Sequence, residues 1–259
     1  MDISKPVNIV VGSGKILFNP LVDGVYQGFR YLAETPGFTL TVQSESLQVD
    51  GSDGPIAERI RDIPIRVTRS GRMSLRDISP ENQGLFIIGD AAEVNQASTP
   101  VVDEAIAVQP GRFYQLGTSI NPTGVRNVTA VDVQDETDTT TYVADTDYKV
   151  HAEMGMIEIL EGGAIGSETL HVDYTPAAET RTQVTSHQQK PAEGEFKFVA
   201  DNTEGSPSDV FLPRVTLTPD GELPFKSREN PLEAAFNILV QTRSGFAQAY
   251  IDGRAAAGS

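Results

Sequence analysis

The feature that most constrains this chain is an alternation of apolar and polar residues at period two, cut at short intervals by Gly, Pro, Asn and Asp. Side chains of an extended strand point alternately to its two faces, so the pattern belongs to half-buried β-strands. In Phe38-Thr39-Leu40-Thr41-Val42-Gln43, the residues Phe38, Leu40 and Val42 share a face. In Ile63-Pro64-Ile65-Arg66-Val67-Thr68 the apolar face is Ile63, Ile65 and Val67. Arg69-Ser70-Gly71 reads as a turn, and Arg72-Met73-Ser74-Leu75-Arg76 as the returning strand with Met73 and Leu75 inward. Residues 62–78 are therefore expected to form a hairpin with one oily and one polar side. The polar side carries Arg66, Arg72 and Arg76. These serve either as solvated edge protection or, with Glu45, as candidate contacts to another subunit.

Helical signal concentrates in one segment, Ser79-Pro80-Glu81-Asn82-Gln83-Gly84-Leu85-Phe86-Ile87-Ile88-Gly89. Ser79 suits the cap, Pro80 the first helical position, Glu81 the positive helix end, and Gly89 the stop. Upstream, Ser46 to Arg59 reads as a long polar connection between strands. Its charged residues Asp50, Asp53, Glu58 and Arg59 are candidates for reaching a neighbouring subunit.

The two ends of the chain share four short matches in the same order. Gly14–Phe18 resembles Gly194–Phe198, Leu32 answers Leu212, Thr39–Thr41 answers Thr216–Thr218, and Thr68–Gly71 answers Thr242–Gly245. This is read as a duplicated β unit, each half ending in a Thr-Arg-Ser-Gly hairpin. The expected division is a first half over 1–99, an inserted block over 100–180 and a second half over 181–259. The inserted block holds 14 acids against three bases, a net −11 of the chain's −16. Strands are expected in it at Val125–Val133, Thr140–Val143, Met156–Leu160 and Thr169–Tyr174, with a turn at Gly162-Gly163 and edges at Pro100 and Pro176. It reads as a small β-sandwich inserted between the halves.

Charge and residue usage bound the function. Nucleic-acid binders need a basic face to displace counterions, and 36 acids against 20 bases would repel DNA. That leaves open a conduit through which DNA slides without sticking. The absence of cysteine removes disulfides, thiol nucleophiles and zinc–thiolate sites. No apolar run approaches the ~20 residues of a spanning helix, and Met1–Pro6 shows no basic start before an apolar stretch, so neither a membrane partner nor a secretion signal is expected.

Several motifs suggest chemistry. Ile9–Lys15 reads as a strand running into the glycine-rich turn Gly12-Ser13-Gly14-Lys15, as a phosphate loop would. Ile16 stands where that loop needs Ser or Thr, and Leu17 where a dinucleotide fingerprint needs its third glycine, although Glu34 lies at a suitable distance. Phe86-Ile87-Ile88-Gly89-Asp90 echoes a flavoprotein segment. A nucleotide-binding enzyme is thus the rival reading. Asp132, Asp135, Glu136, Asp138, Asp145 and Asp147 could ligate calcium, but lack the loop glycine and terminal glutamate of the helical calcium loop. His151, His171 and His187 are scattered, with no neighbouring acid and nucleophile at catalytic spacing, and read as surface polar residues. No catalytic, cofactor or metal residue is assigned, and no enzymatic activity is expected.

The run Gly12-Ser13-Gly14-Lys15, Arg30-Tyr31-Leu32, Thr35-Pro36-Gly37-Phe38, Thr68-Arg69-Ser70-Gly71 and Ile78-Ser79-Pro80-Glu81-Asn82 resembles the major tail tube proteins of long-tailed bacteriophages. The resemblance continues through Gly111–Gly117, Asn121–Val125, Thr146-Asp147-Tyr148 and Ala249–Arg254, most of the chain. It implies a mainly β fold, a β-sandwich that contributes to a barrel, with one short flanking helix and the inserted domain. It further implies homohexameric rings that stack around a tape measure protein, end at tail terminator and distal tail proteins, and later pass DNA without specific binding. The implied location is the virion tail, assembled in the host cytoplasm. Lumen strands are then expected in 38–46, 62–78, 214–226 and 233–251, with the 46–59 connection as a ring-stacking loop. A distal tail subunit or another tube-forming protein is the neighbouring alternative.

Overall fold

The computed structural model describes residues 8–53, 56–187 and 190–254. Met1–Pro6, the segment read for a secretion signal, lies outside them. The fold is mainly β, with several antiparallel sheets and one α-helix. In chain order the elements are β1 (Gly14–Val22), β2 (Val25–Tyr26), β3 (Arg30–Tyr31), β4 (Gly37–Asp50), β5 (Arg59–Leu75), α1 (Pro80–Ile87) and β6 (Asp90–Gln96). Then come β7 (Val101–Val108), β8 (Phe113–Gln115), β9 (Val128–Asp135), β10 (Tyr148–His151), β11 (Met156–Ile159), β12 (Glu168–Pro176) and β13 (Glu179–Thr185). The last four are β14 (Ala192–Ala200), β15 (Ser208–Asp220), β16 (Ala234–Val240) and β17 (Tyr250–Gly253). The chain divides into a unit of residues 1–92 with 184–259 and a unit of residues 93–183. Pro100 and Pro176, the last residue of β12, both lie inside the second unit and mark neither of its edges.

The first unit is built on one sheet in the order β2-β1-β14-β15-β16-β5-β4, with β3 beside β1 and β17 beside β15. Phe38, on the edge strand β4, meets Phe196 and Phe198 of β14 at ring-centroid distances of 5.0 and 5.7 Å. Those strands lie four places apart in the sheet, so the sheet curls around its own apolar face. Phe18, Phe196, Leu212, Leu217, Phe236 and Ile238 are buried there. Burying each such side chain contributes roughly 1.5–3 kcal/mol. Helix α1 covers part of this core, with Phe86 edge-on to Phe236 at 5.7 Å.

The helix forms where the sequence places it, with Ser79 at the cap and Pro80 at the first position. Two details differ. The Ser79 side chain makes no capping bond, and the left-handed stop is taken by Ile88 at φ 53°, one residue before Gly89. Gly89 is needed for room instead: a Cβ there would run into the Thr185 carbonyl. Its N–H donates to the Gly84 carbonyl at 2.9 Å. Asn82, buried on α1, accepts from Arg30 at 2.9 Å and donates to the Asp77 carbonyl at 2.9 Å, which ties the helix to β3 and to the preceding turn.

The expected turn at Arg69-Ser70-Gly71 does not exist. β5 runs unbroken through it, and the hairpin is instead the long β4–β5 pair, registered from Gly37 opposite Ser74 to Asp50 opposite Arg59. Gly71 lies mid-sheet, opposite Leu40 on one side and Ile238 on the other. A Cβ there would sit 2.6 Å from the Thr39 carbonyl, so the glycine serves close strand approach. The matching Thr242–Gly245 does turn, with Gly245 at φ 82°. The two Thr-Arg-Ser-Gly copies thus have different structures, and the halves do not each end in such a hairpin. The Gly14–Phe18 and Gly194–Phe198 matches pair with each other in β1 and β14, Ile16 opposite Phe198 and Phe18 opposite Phe196.

The second unit stacks the sheet β10-β11-β8 against the sheet β7-β12-β9 over one core of Leu116, Val133, Tyr148, Ile157, Leu170 and Val172. Along β12 the burial alternates: Leu170, Val172 and Tyr174 point in, His171 and Asp173 out. This is a small β-sandwich. Residues 140–143 contribute only an isolated bridge at Thr141, where the sequence pattern predicts a full strand. β7, β8 and β10 are strands that the pattern does not mark.

Candidate assembly interface

The expected polar connection over 46–59 is strand only at its two ends. β4 extends to Asp50 and β5 starts at Arg59, leaving a tip of residues 51–58 in which Gly51 N–H donates to the Glu58 carbonyl at 2.8 Å. Asp53 and Glu58 lie in that tip, and Gly54 and Pro55 fall outside the described residues. Asp50 and Arg59 face each other at its base.

Beyond Val42 and Arg69 the β4–β5 pair becomes a two-stranded ribbon. β16 pairs with β5 only over Ser70–Leu75, so Arg59–Arg69 have no strand beyond them among the described residues. Among the described residues β4 has no partner on its outer side along its whole length. The ribbon therefore offers two rows of unpaired backbone groups. The register shifts between Glu45 and Ser46 and between Val49 and Asp50. Such bulges sharpen the local twist, and Pro64 removes one donor from the edge.

The alternation that predicts strands here is not matched by burial. Val42, Leu47, Val49, Ile60, Ile63, Ile65 and Val67 are between 38% and 70% exposed. Leu47 stands opposite Ile63 with neither covered. The expectation that Ile63, Ile65 and Val67 form an inward face is therefore overturned within the single chain. A lone two-stranded ribbon in water is marginal, and the bulge at Ile65 puts Val42 and Val67 on one face and Leu47, Val49 and Ile63 on the other, so both faces present uncovered apolar side chains.

The charges on β4 and β5 also stand apart. Arg59, Arg61, Arg66, Arg69 and Arg72 oppose Glu45, Asp50 and Asp62, a net +2 in a chain of −16. Arg66 lies 3.7 Å from Glu45, and both are well exposed. Arg72 reaches Asp220 at 2.8 Å, and Arg76 reaches Glu233 at 2.8 Å. Arg59 contacts Asp62 at 3.8 Å and also Gln48. The three arginines expected to reach another subunit are thus all paired within the chain. Arg72 and Arg76 anchor the root of the ribbon to the β15–β16 connection. Exposed pairs of this kind contribute little each, about 0–1 kcal/mol.

The segments that suggested chemistry are dispersed. Gly12-Ser13-Gly14 leads into β1, not into a helix, and before it only Val11 bridges, to Glu204. Phe86–Asp90 is the end of α1, the turn after it and the first residue of β6. Asp135 accepts from Thr139 N–H at 2.8 Å and Thr140 N–H at 3.1 Å, bonds that hold its carboxyl far below the usual range, Thr140 first. Asp147 is buried and accepts from Val143 and Ala164 N–H, each at 2.8 Å; these bonds, Ala164 first, lower its pKa. Of the six acids, Asp138 alone joins a potential metal group, with Asp103 and His171 within 4.8 Å. That is three donors where calcium takes six to eight.

All three histidines have acid neighbours in space, which their sequence surroundings hid. His151 lies 2.9 Å from Glu158, His171 2.6 Å from Asp138, and His187 3.1 Å from Asp90. His187 also lies 3.1 Å from the Thr185 hydroxyl, but it and Asp90 are more than half exposed, where water competes for each bond.

No curated protein matches the chain. A family model described as "Protein of unknown function UCP028589" matches residues 9–244, and the chain belongs to that family.

Proposed function

We propose that this chain is a structural subunit of a bacteriophage tail tube, assembling with copies of itself into stacked six-fold rings that enclose a tape measure protein and later conduct DNA. The observation that carries the reading is the β4–β5 ribbon, with two open edges and uncovered apolar side chains. Proteins keep such edges short, charged or covered, because an open edge pairs with another chain. Joining ribbons edge to edge in a closed ring covers every edge at once. Parts of the segments expected to line a lumen are neighbours in one sheet, in the order β15, β16, β5 and β4, which supports the reading, although residues 76–78, 221–226 and 241–249 are not strand. Three of the five arginines on β4 and β5 have a carboxylate partner, which weakens their grip on passing phosphate.

Electron microscopy of the purified protein at rising concentration tests the reading. Tubes or rings of uniform width are expected, and a persistent monomer under all conditions would overturn it. Removing residues 93–183 in favour of a short linker is expected to leave tubes that still polymerise, since the ribbon lies wholly in the other unit. The rival, a nucleotide-binding enzyme, gains no geometric support, because no helix follows the Gly12–Lys15 turn.

A further inference from the structure

Besides the ribbon, the first unit presents an exposed aromatic on a long loop and an aromatic cleft standing open. Residues 221–233 join β15 to β16 without strand or helix. Connections of that length within compact folds are uncommon, and are usually either functional or linkers. Leu223 packs on the core and fixes the root of the loop, while Phe225 beyond it is 75% exposed. Lys226 and Arg228 come next along the loop, and neither makes an ion pair among the described residues.

The cleft has a volume of about 680 Å³ and is lined by Tyr31, Phe38 and Phe198. Glu34, Asp201 and Lys15 are its charged groups. Glu34 and Asp201 are exposed and likewise have no ion-pair partner among the described residues. A bare phenylalanine next to two unpaired cations complements an aromatic cleft bordered by two unpaired anions.

We infer that the Phe225 loop of one copy seats in the Tyr31–Phe38–Phe198 cleft of a second copy, with Lys226 and Arg228 against Glu34 and Asp201. This rests on the assembly reading above and names a contact distinct from the ribbon edges. Phe225 is the anchor: an aromatic side chain desolvated in a pocket supplies much of an interface's affinity. The charges set orientation and encounter rate. Knob and cleft are different surfaces of the same chain, so the contact is head-to-tail and propagates from copy to copy.

The chain has no cysteine, so disulfide trapping has no background. Single variants Pro224→Cys, beside the anchor, and Thr35→Cys, on the cleft wall, mixed and oxidised, are expected to give a heterodimer in clear excess over either homodimer and over a Thr137→Cys control. In the cysteine-free protein, Phe225→Ala is expected to raise the concentration needed for assembly about thirtyfold. K226E with R228E is expected to raise it about tenfold, and E34K with D201K added to that variant to restore it. Unchanged circular-dichroism melts of the monomers separate these effects from misfolding. Wild-type tubes with random cross-linking and no effect of charge reversal would overturn this contact while leaving the tube reading intact. A chain carrying both cysteines that closes only on itself at high dilution and high concentration alike would overturn it too. It would show the loop occupying its own cleft. A wild type that never assembles would sink the tube reading itself.

Discussion

The β-sandwich of residues 93–183 and the ribbon of β4 and β5 carry the same kind of sequence and meet opposite fates. In β12 every second residue is apolar and buried: Leu170, Val172 and Tyr174 are at most 2% exposed. In the ribbon Ile63, Ile65 and Val67 alternate as cleanly and stay in water. The difference is the partner sheet. β12 has strands on both sides and a second sheet across its inner face, whereas the outer ribbon has only itself. Period-two alternation therefore identifies a strand; it identifies neither a bulge within it nor the molecule that covers its apolar side chains.

The largest expected effect probes burial directly. Leu170→Ala removes a fully buried side chain and should destabilise the sandwich by about 2–5 kcal/mol, read by urea denaturation of the monomer. Ile65→Ala in the ribbon should fall within about 0.5 kcal/mol in the same measurement. Equal losses at the two sites would mean that the ribbon is covered within a single chain.

Next is the root of the ribbon, where Gly71→Ala forces a Cβ against the Thr39 carbonyl. A loss of about 1–3 kcal/mol is expected. At Gly245, where a Cβ meets open space at φ 82°, alanine should cost about 1 kcal/mol or somewhat more, for backbone conformation alone. The ranking of the two glycines separates close packing from turn geometry in the two Thr-Arg-Ser-Gly segments.

A third comparison uses assembly as its readout. Ile63→Ser with Val67→Ser should leave the monomer melt nearly unchanged, yet raise the assembly threshold by about tenfold or more, measured by sedimentation. Unaltered assembly would remove the ribbon from the interface.

The smallest effect is electrostatic and confined to the sandwich. The hydrogen bond with Asp138 raises the His171 pKa above its ordinary 6.5, with further help from Asp138, Asp103 and Glu136 charges, while burial opposes it. The folded state then holds the proton more tightly than the unfolded state. Its stabilisation is complete below about pH 6.5 and is lost as pH rises through the folded value. The melting temperature of the sandwich should fall slightly across that window, and His171→Gln should flatten the trend.

Much of the fold is legible because its signals are local. Pro80 and Glu81 mark a helix start through backbone chemistry within one turn, and the helix is there. The acid-rich insertion shows in composition because it is a separate folding unit. The expected boundaries at 100 and 180 fall near the observed division after residues 92 and 183. Thr68–Gly71 misled because glycine after Arg-Ser has two uses, turning the chain or admitting a neighbouring strand. Only the presence of Thr39 and Ile238 on either side selects the second. The connection expected over 46–59 is real over 51–58 but was drawn too long, because an uncovered ribbon has no inward face and the polar end of β4 resembles a loop. The acid partners of the histidines were hidden because Asp90 and Asp138 lie 97 and 33 residues from their partners.

By itself the sequence determined the features that neighbouring residues set between them: strand character, the one helix, the acidic insertion, and the absence of thiol chemistry. The tertiary structure alone decided which apolar faces are enclosed. Enclosure depends on strands brought from far along the chain, β16 against β5 and β14 against β1. Where no such strand arrives, as beyond Arg69, the same alternation becomes a surface that burial within one chain does not satisfy.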